Sequence, residues 1–169
     1  LASAGWFDPW RLSRGFDPTG LVKGWAAREA AGVLQEAGIA AGMINAAGDI
    51  ATFGAPSQRD AWRVGVRSPD SADLLACVIE LRGGAVATSG KYERGAHIGD
   101  VVGGCPAAGV ASATVCGPDL ALADAFATGL VAAGSDGLDA VSAAGYEALL
   151  LLEGGESIST AGFPLPTTV

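Results

Sequence analysis

Lys23 has chemically suggestive surroundings, in the run Asp17-Pro18-Thr19-Gly20-Leu21-Val22-Lys23-Gly24-Trp25. Proline fixes φ and glycine accepts φ > 0, so Asp-Pro followed by Thr-Gly reads as a tight turn. A lysine ammonium is a compact point charge suited to a phosphate oxygen, and Gly24 leaves room for a close approach to the backbone. Good helix formers follow from Trp25. Turn, cation and helix start together have the chemistry of an anion-binding corner. The same letters also describe an ordinary loop leading into a helix.

Four further sets of residues could do chemistry. Asp124 and Thr128 stand at i and i+4 of a helical stretch, so they face the same way. A carboxylate beside a hydroxyl offers hard oxygen ligands to Mg²⁺, which keeps waters and substrate phosphates in its shell; the bland reading is a polar stripe on a solvated helix face. Asn45-Ala46-Ala47-Gly48-Asp49 follows an apolar strand, and its small residues would let a ligand touch the backbone while Asn45 and Asp49 hydrogen-bond it. A hairpin turn explains these letters equally well. Thr88-Ser89-Gly90 offers hydroxyls and backbone N–H groups after a buried strand, or a plain turn. The single histidine, His97, has Asp100 three residues on, a pairing suited to acid–base work, although a lone histidine is more often structural. Walker A, Rossmann, nucleophile-elbow, HExxH and zinc-finger spacings are all absent from the sequence.

These residues need a scaffold, and the patterning predicts one. Residues 1–15 read as loop with one short strand, and 25–37 as a helix stopped by Gly38. Strands are expected at 41–44, 50–53, 62–67, 74–81, 85–87, 111–116, 148–152 and 157–163. A second helix is expected over 121–133 with Asp119 near its start, a break at 134–137, and a short helix over 138–145. Strands in adjacent pairs with a few helices between them point to an α+β fold with a mostly antiparallel sheet, as a single domain over 1–169.

Bulk properties narrow the function classes. Ten basic against eighteen acidic residues give a net charge of −8, so no general attraction to nucleic acid or anionic membrane is expected. The acidity is compatible with a divalent cation. Cys77, Cys105 and Cys116 form no CxxC pair; free thiols are the simplest reading, and one disulfide with a spare cysteine is compatible. No apolar run approaches the roughly 20 residues of a membrane helix. Leu1-Ala2-Ser3-Ala4-Gly5-Trp6 has no basic region or long apolar core of a signal peptide. A start at Leu1 suggests a processed, trimmed or truncated product, leaving the compartment open between cytoplasmic and extracytoplasmic.

The order of these motifs carries more than any one of them. Asp-Pro-Thr-Gly-Leu-Val-Lys-Gly-Trp, then Asn-Ala-Ala-Gly-Asp, then Ala-Val-Ala-Thr-Ser-Gly-Lys-Tyr-Glu-Arg, then His-Ile, then Ala-Asp-Ala-Phe-Ala-Thr resembles the ApbE family of flavin transferases over about residues 5–163. The resemblance implies a T-fold-like α+β domain that lacks the family's N-terminal part. It implies an enzyme that binds FAD and Mg²⁺, splits the pyrophosphate, releases AMP and joins FMN to a Thr or Ser hydroxyl of an acceptor flavoprotein. It assigns the metal to Asp124, Thr128 and the Gly20 carbonyl, the FAD site to Asp17, Lys23, Asn45, Asp49, Thr88 and Ser89, and a role near the phosphates to His97. His97 or Asp100 would take the proton from the attacking hydroxyl. The alternatives are a non-catalytic flavin-binding module and an FAD pyrophosphatase yielding FMN and AMP. A homodimer, or pairing with the missing N-terminal segment, would cover an exposed apolar face. Ala47 stands where the family pattern has glycine, and Ala96 and Val101 also depart from it.

Overall fold

A computed structural model describes residues 5–10, 15–90 and 109–165. Its first element is helix α1 (Thr19–Glu36), which leads into strands β1 (Gly42–Ala46) and β2 (Asp49–Phe53). Strands β3 (Trp62–Ser68) and β4 (Ser71–Leu81) then form a separate hairpin before β5 (Gly84–Gly90). After β6 (Val110–Gly117) come helix α2 (Leu120–Ala133), a 3₁₀ turn (Gly134–Gly137) and helix α3 (Leu138–Ala143). Strands β7 (Glu147–Leu152) and β8 (Ser157–Ser159) finish the order.

The main sheet has six strands in the order β1-β2-β5-β6-β7-β8, every neighbouring pair antiparallel. The α+β, mostly antiparallel class expected from the patterning is the class observed. Successive strand residues point to opposite faces, and β5 shows the consequence. Ala85 and Ala87 join a core with the helices, while Val86 joins a core with the β3–β4 hairpin. The sheet is therefore sandwiched between a helical layer and a hairpin layer. Covered on both faces, all five residues of β2 are buried.

Two boundaries differ most from the sequence reading. The first helix begins at Thr19, not at Trp25: the expected turn is its first turn, where Leu21 and Val22 N–H both bond the Pro18 carbonyl. Gly20 keeps a trace of that turn, with non-helical φ −81° and ψ 15°. The last strand stops at Ser159 rather than running to 163, because the Thr160 side chain turns back to bond the Ala148 N–H of β7.

The β1–β2 connection explains its own letters. Ala46 pairs with Asp49, leaving Ala47 and Gly48 as a two-residue hairpin loop with φ of +50° and +100°. Both central positions of such a turn need positive φ, and Ala47 is the one non-glycine with positive φ among the described residues. The glycine of the family pattern is thus a backbone requirement that Ala47 meets under strain.

Candidate functional site

The start of α1 is pressed against α2 at a point where neither helix carries a bulky side chain. A Cβ on Gly24 would lie 2.5 Å from the Leu120 carbonyl oxygen and 3.0 Å from the Asp124 Cβ. Glycine is what permits this crossing. It brings the Gly24 N–H close enough to donate to Asp124 Oδ2 at 3.3 Å. Gly20 lies four residues before Gly24, on the same side of α1. One turn further along α2, a Cβ on Gly20 would lie 2.9 Å from Thr128 Oγ1. Gly20, Asp124 and Thr128 therefore converge.

Asp124 is 1% exposed and α2 is buried around most of its circumference, Leu122 being exposed and Thr128 half-buried. The alternative of a solvated polar stripe does not hold. Thr128 Oγ1 shares a hydrogen bond with Ser89 Oγ at 3.1 Å, linking α2 to β5. A carboxylate, a hydroxyl and a backbone carbonyl are hard oxygen donors, and a single carboxylate suits a cation that retains waters and phosphate oxygens. These three groups fit Mg²⁺ chemically. No group of three or more His, Cys, Asp or Glu side chains with metal-holding geometry occurs among the described residues.

Lys23 lies one residue before the crossing and reaches the sheet instead. Its Nζ is 2.9 Å from Asp49 Oδ2, the lysine side chain 30% exposed and the aspartate 1%. Asp49 Oδ1 accepts the Thr88 N–H at 3.3 Å. Oδ2 takes no hydrogen bond and is matched by the ammonium charge alone. These contacts join α1, β2 and β5 beside the Asp124 crossing.

The sequence grouped Thr88 with Ser89, and the strand separates them. Ser89 points to the helical face, onto Thr128. The Thr88 hydroxyl goes to the opposite face, sharing a 3.0 Å hydrogen bond with Thr114 of β6, so Thr88 offers this site its backbone N–H. Asn45 is exposed and its Oδ1 accepts the Gly48 N–H at 2.9 Å, which serves the hairpin turn. Asp17 Oδ1 accepts the Thr19 N–H at 3.0 Å and so supports the start of α1. His97 and Asp100 lie outside the described residues.

A polar contact that spacing did not reveal anchors the far end of the same helix pair. Arg28 Nη1 lies 2.8 Å from Asp119 Oδ2, and Asp119 Oδ1 accepts the Leu122 N–H as the N-cap of α2. Partial burial of Asp119 opposes its ionisation. The Arg28 guanidinium and the Leu122 amide outweigh that and hold its carboxyl below the usual range. A cavity of about 610 Å³ opens beyond this pair, lined by residues including Arg28, Gln35, Thr52, Gly84 and Pro118. Lys23, Asp49, Asp124 and Thr128 do not line it.

The thiols are elsewhere. Cys77 and Cys116 are free, Cys116 buried in the core under the hairpin and Cys77 half-buried against it; Cys105 lies outside the described residues. Burial, with the nearby Cys77 thiol and Glu147, pushes the Cys116 thiol up to about 12, which keeps it protonated and inert.

The ApbE family model matches residues 11–150 of the sequence. The chain belongs to the ApbE family. It is 33% identical to an FAD:protein FMN transferase of Rhodobacter capsulatus, covering 88% of this chain and 32% of that protein. It is 27% identical to the FAD:protein FMN transferase of Salmonella typhimurium, covering 82% and 43%. Among solved structures, an ApbE protein from Thermotoga maritima superposes with a TM-score of 0.76 at 35% identity, over 87% of this chain and 52% of that one. The flavin transferase ApbE from Vibrio cholerae superposes with a TM-score of 0.76 at 28% identity, over 88% and 52%. The chain thus spans between about a third and about half of the length of these ApbE relatives. No helix among the described residues is long and apolar enough to cross a membrane.

Proposed function

We propose that this chain is the catalytic portion of a Mg²⁺-dependent FAD:protein FMN transferase, the activity named for its curated relatives. The observation that carries the reading is the convergence of Gly20, Asp124 and Thr128 next to Lys23 at one helix crossing. Transfer of a phosphoryl-linked group asks a protein mainly for positioning and charge neutralisation. Asp124, Thr128 and the Gly20 carbonyl would hold the cation, which would supply charge neutralisation for the FAD pyrophosphate. Lys23, whose side chain is 30% exposed, would face a phosphate oxygen, with the Thr88 amide held by Asp49 and Ser89 nearby.

In the reaction, a Thr or Ser hydroxyl oxygen of the acceptor flavoprotein bonds to the FMN phosphorus. The pyrophosphate P–O bond breaks and AMP leaves with the bridging oxygen. His97 or Asp100 accepts the hydroxyl proton. A partner completes the assembly as well. Val22, Trp25 and Val33 of α1 are exposed, Val33 at 63%, and either a second copy or a segment equivalent to the remaining length of the relatives would cover them.

The test is incubation with FAD and Mg²⁺, with and without an acceptor domain, followed by analysis for AMP, free FMN and flavinylated acceptor. Asp124→Asn keeps the side-chain shape, and it is expected to lower turnover by about a hundredfold or more, the scale of removing a key electrostatic group. Flavinylation that depends on Asp124 supports the transferase. Free FMN and AMP without labelled acceptor would make the chain a pyrophosphatase. Binding of FAD without turnover would make it a flavin-binding module.

A further inference from the structure

Building on the transferase reading, we infer that Asp49 is a positioning residue for Lys23 and for the Thr88 amide rather than a group that touches FAD. Three observations converge. At 1% exposure, Asp49 has almost no surface to present to a ligand. Each carboxylate oxygen already faces a different element of the site: Oδ1 the Thr88 N–H of β5, Oδ2 the Lys23 ammonium of α1 at 2.9 Å. The Lys23 side chain is itself 30% exposed, so the residue held by Asp49 still presents surface to a ligand.

The chemistry explains why an acid stands under a phosphate site. A carboxylate in contact with a pyrophosphate would repel it, whereas one buried behind a lysine sets where the positive charge sits. A lysine side chain has four rotatable carbons and loses considerable rotamer freedom when ordered. A buried anion at its tip meets that cost in the folded protein instead of on binding, which is how preorganisation raises affinity. The hairpin turn contributes as well: pairing of Ala46 with Asp49 fixes the aspartate as the first residue of β2, directly after the strained Ala47-Gly48 turn. A one-residue slip in that turn would place Asp49 on the opposite face, away from Lys23.

The prediction concerns coupling. Asp49→Asn keeps the oxygen that accepts the Thr88 N–H and removes the anchor of Lys23. It is expected to weaken FAD binding and raise KM by about tenfold, the equivalent of about 1.4 kcal/mol of lost preorganisation, with a smaller change in kcat. Lys23→Gln keeps a donor for the buried Asp49 Oδ2 while losing the charge, so the fold is retained; its loss is expected to be at least as large. The decisive measurement is a double-mutant cycle read by FAD affinity, in titrations with and without Mg²⁺, and by denaturant unfolding. If Asp49 acts through Lys23, the Asp49→Asn/Lys23→Gln chain binds FAD no more weakly than Lys23→Gln alone, and unfolding shows the pair to be coupled. Losses that multiply in the double variant would mean that Asp49 meets FAD directly, and additive unfolding effects would mean that the ion pair does not form; either result overturns the inference. A wild-type chain that binds no FAD would remove the functional reading and the role of Asp49 with it, whereas multiplied losses in a chain that does bind remove the role alone.

Discussion

The two faces of the central sheet are built from different materials. On the helical face, nine of the nineteen buried side chains in the core cluster are alanines. On the hairpin face the cluster of Ile50, Val64, Val66, Ile79, Leu81, Val86, Cys116, Leu149 and Phe163 has none. Small side chains let backbones approach, and only where backbones approach can an amide such as Gly24 N–H reach a buried carboxylate across two helices. Large branched side chains fill space and exclude water. The first face holds the buried carboxylates Asp49 and Asp124, at a cost in apolar burial. The second holds the branched apolar packing that offsets it, with buried hydroxyls such as Thr114 among it. Stability and site geometry are thus concentrated on opposite sides of the same strands.

If that division is right, damage to each side should have a different signature. The largest loss of stability is expected for Ile79→Ala under the hairpin. Ile79 is fully buried, and such truncations cost about 2–5 kcal/mol. Urea unfolding should show this cost while FAD affinity of the folded protein stays unchanged; a parallel loss of affinity would break the comparison. Gly24→Ala should show the reverse balance. Its new methyl would meet the Leu120 carbonyl, an overpacking strain of about 1–3 kcal/mol. Because the helices must part where Asp124 sits, turnover should fall further than stability does, and equal losses would argue against a site built on that crossing.

The smallest effect is expected at Asp119, where the helices are tied by charge. Replacement of this N-cap by Ala should cost about 1 kcal/mol near neutral pH. Its carboxyl is held below the usual range in the folded chain, so its contribution is present above the unfolded value of about 3.9 and fades as pH falls through the lower folded value. Unfolding of wild type and Asp119→Ala should therefore converge in acid. A gap that persists there would mean that the cap acts without its charge.

What the sequence disclosed followed the range of the interactions. The strands were legible to within a few residues because alternation and turn residues are local signals, and β3 over Trp62–Ser68 is one example. The start of α1 was misplaced because Pro18, Thr19 and Gly20 serve a turn and a first helical turn alike. Asp124 and Thr128 were identifiable as a pair by their spacing of four. Their burial was not, since it depends on α1, whose Gly24 is 100 residues away along the chain. The Lys23–Asp49 pair and the division of Thr88 from Ser89 were invisible for the same reason: each depends on which face of a strand meets which helix.

That separation of 100 residues also has a consequence in time. The Gly24–Asp124 contact closes a very long loop, and long-range contacts form only after their entropic cost has been met by intervening structure. During synthesis α1 leaves the ribosome well before α2 does, so the crossing cannot assemble until most of the chain has emerged. A nascent chain halted before residue 120 would carry Lys23 with no Asp124 beside it.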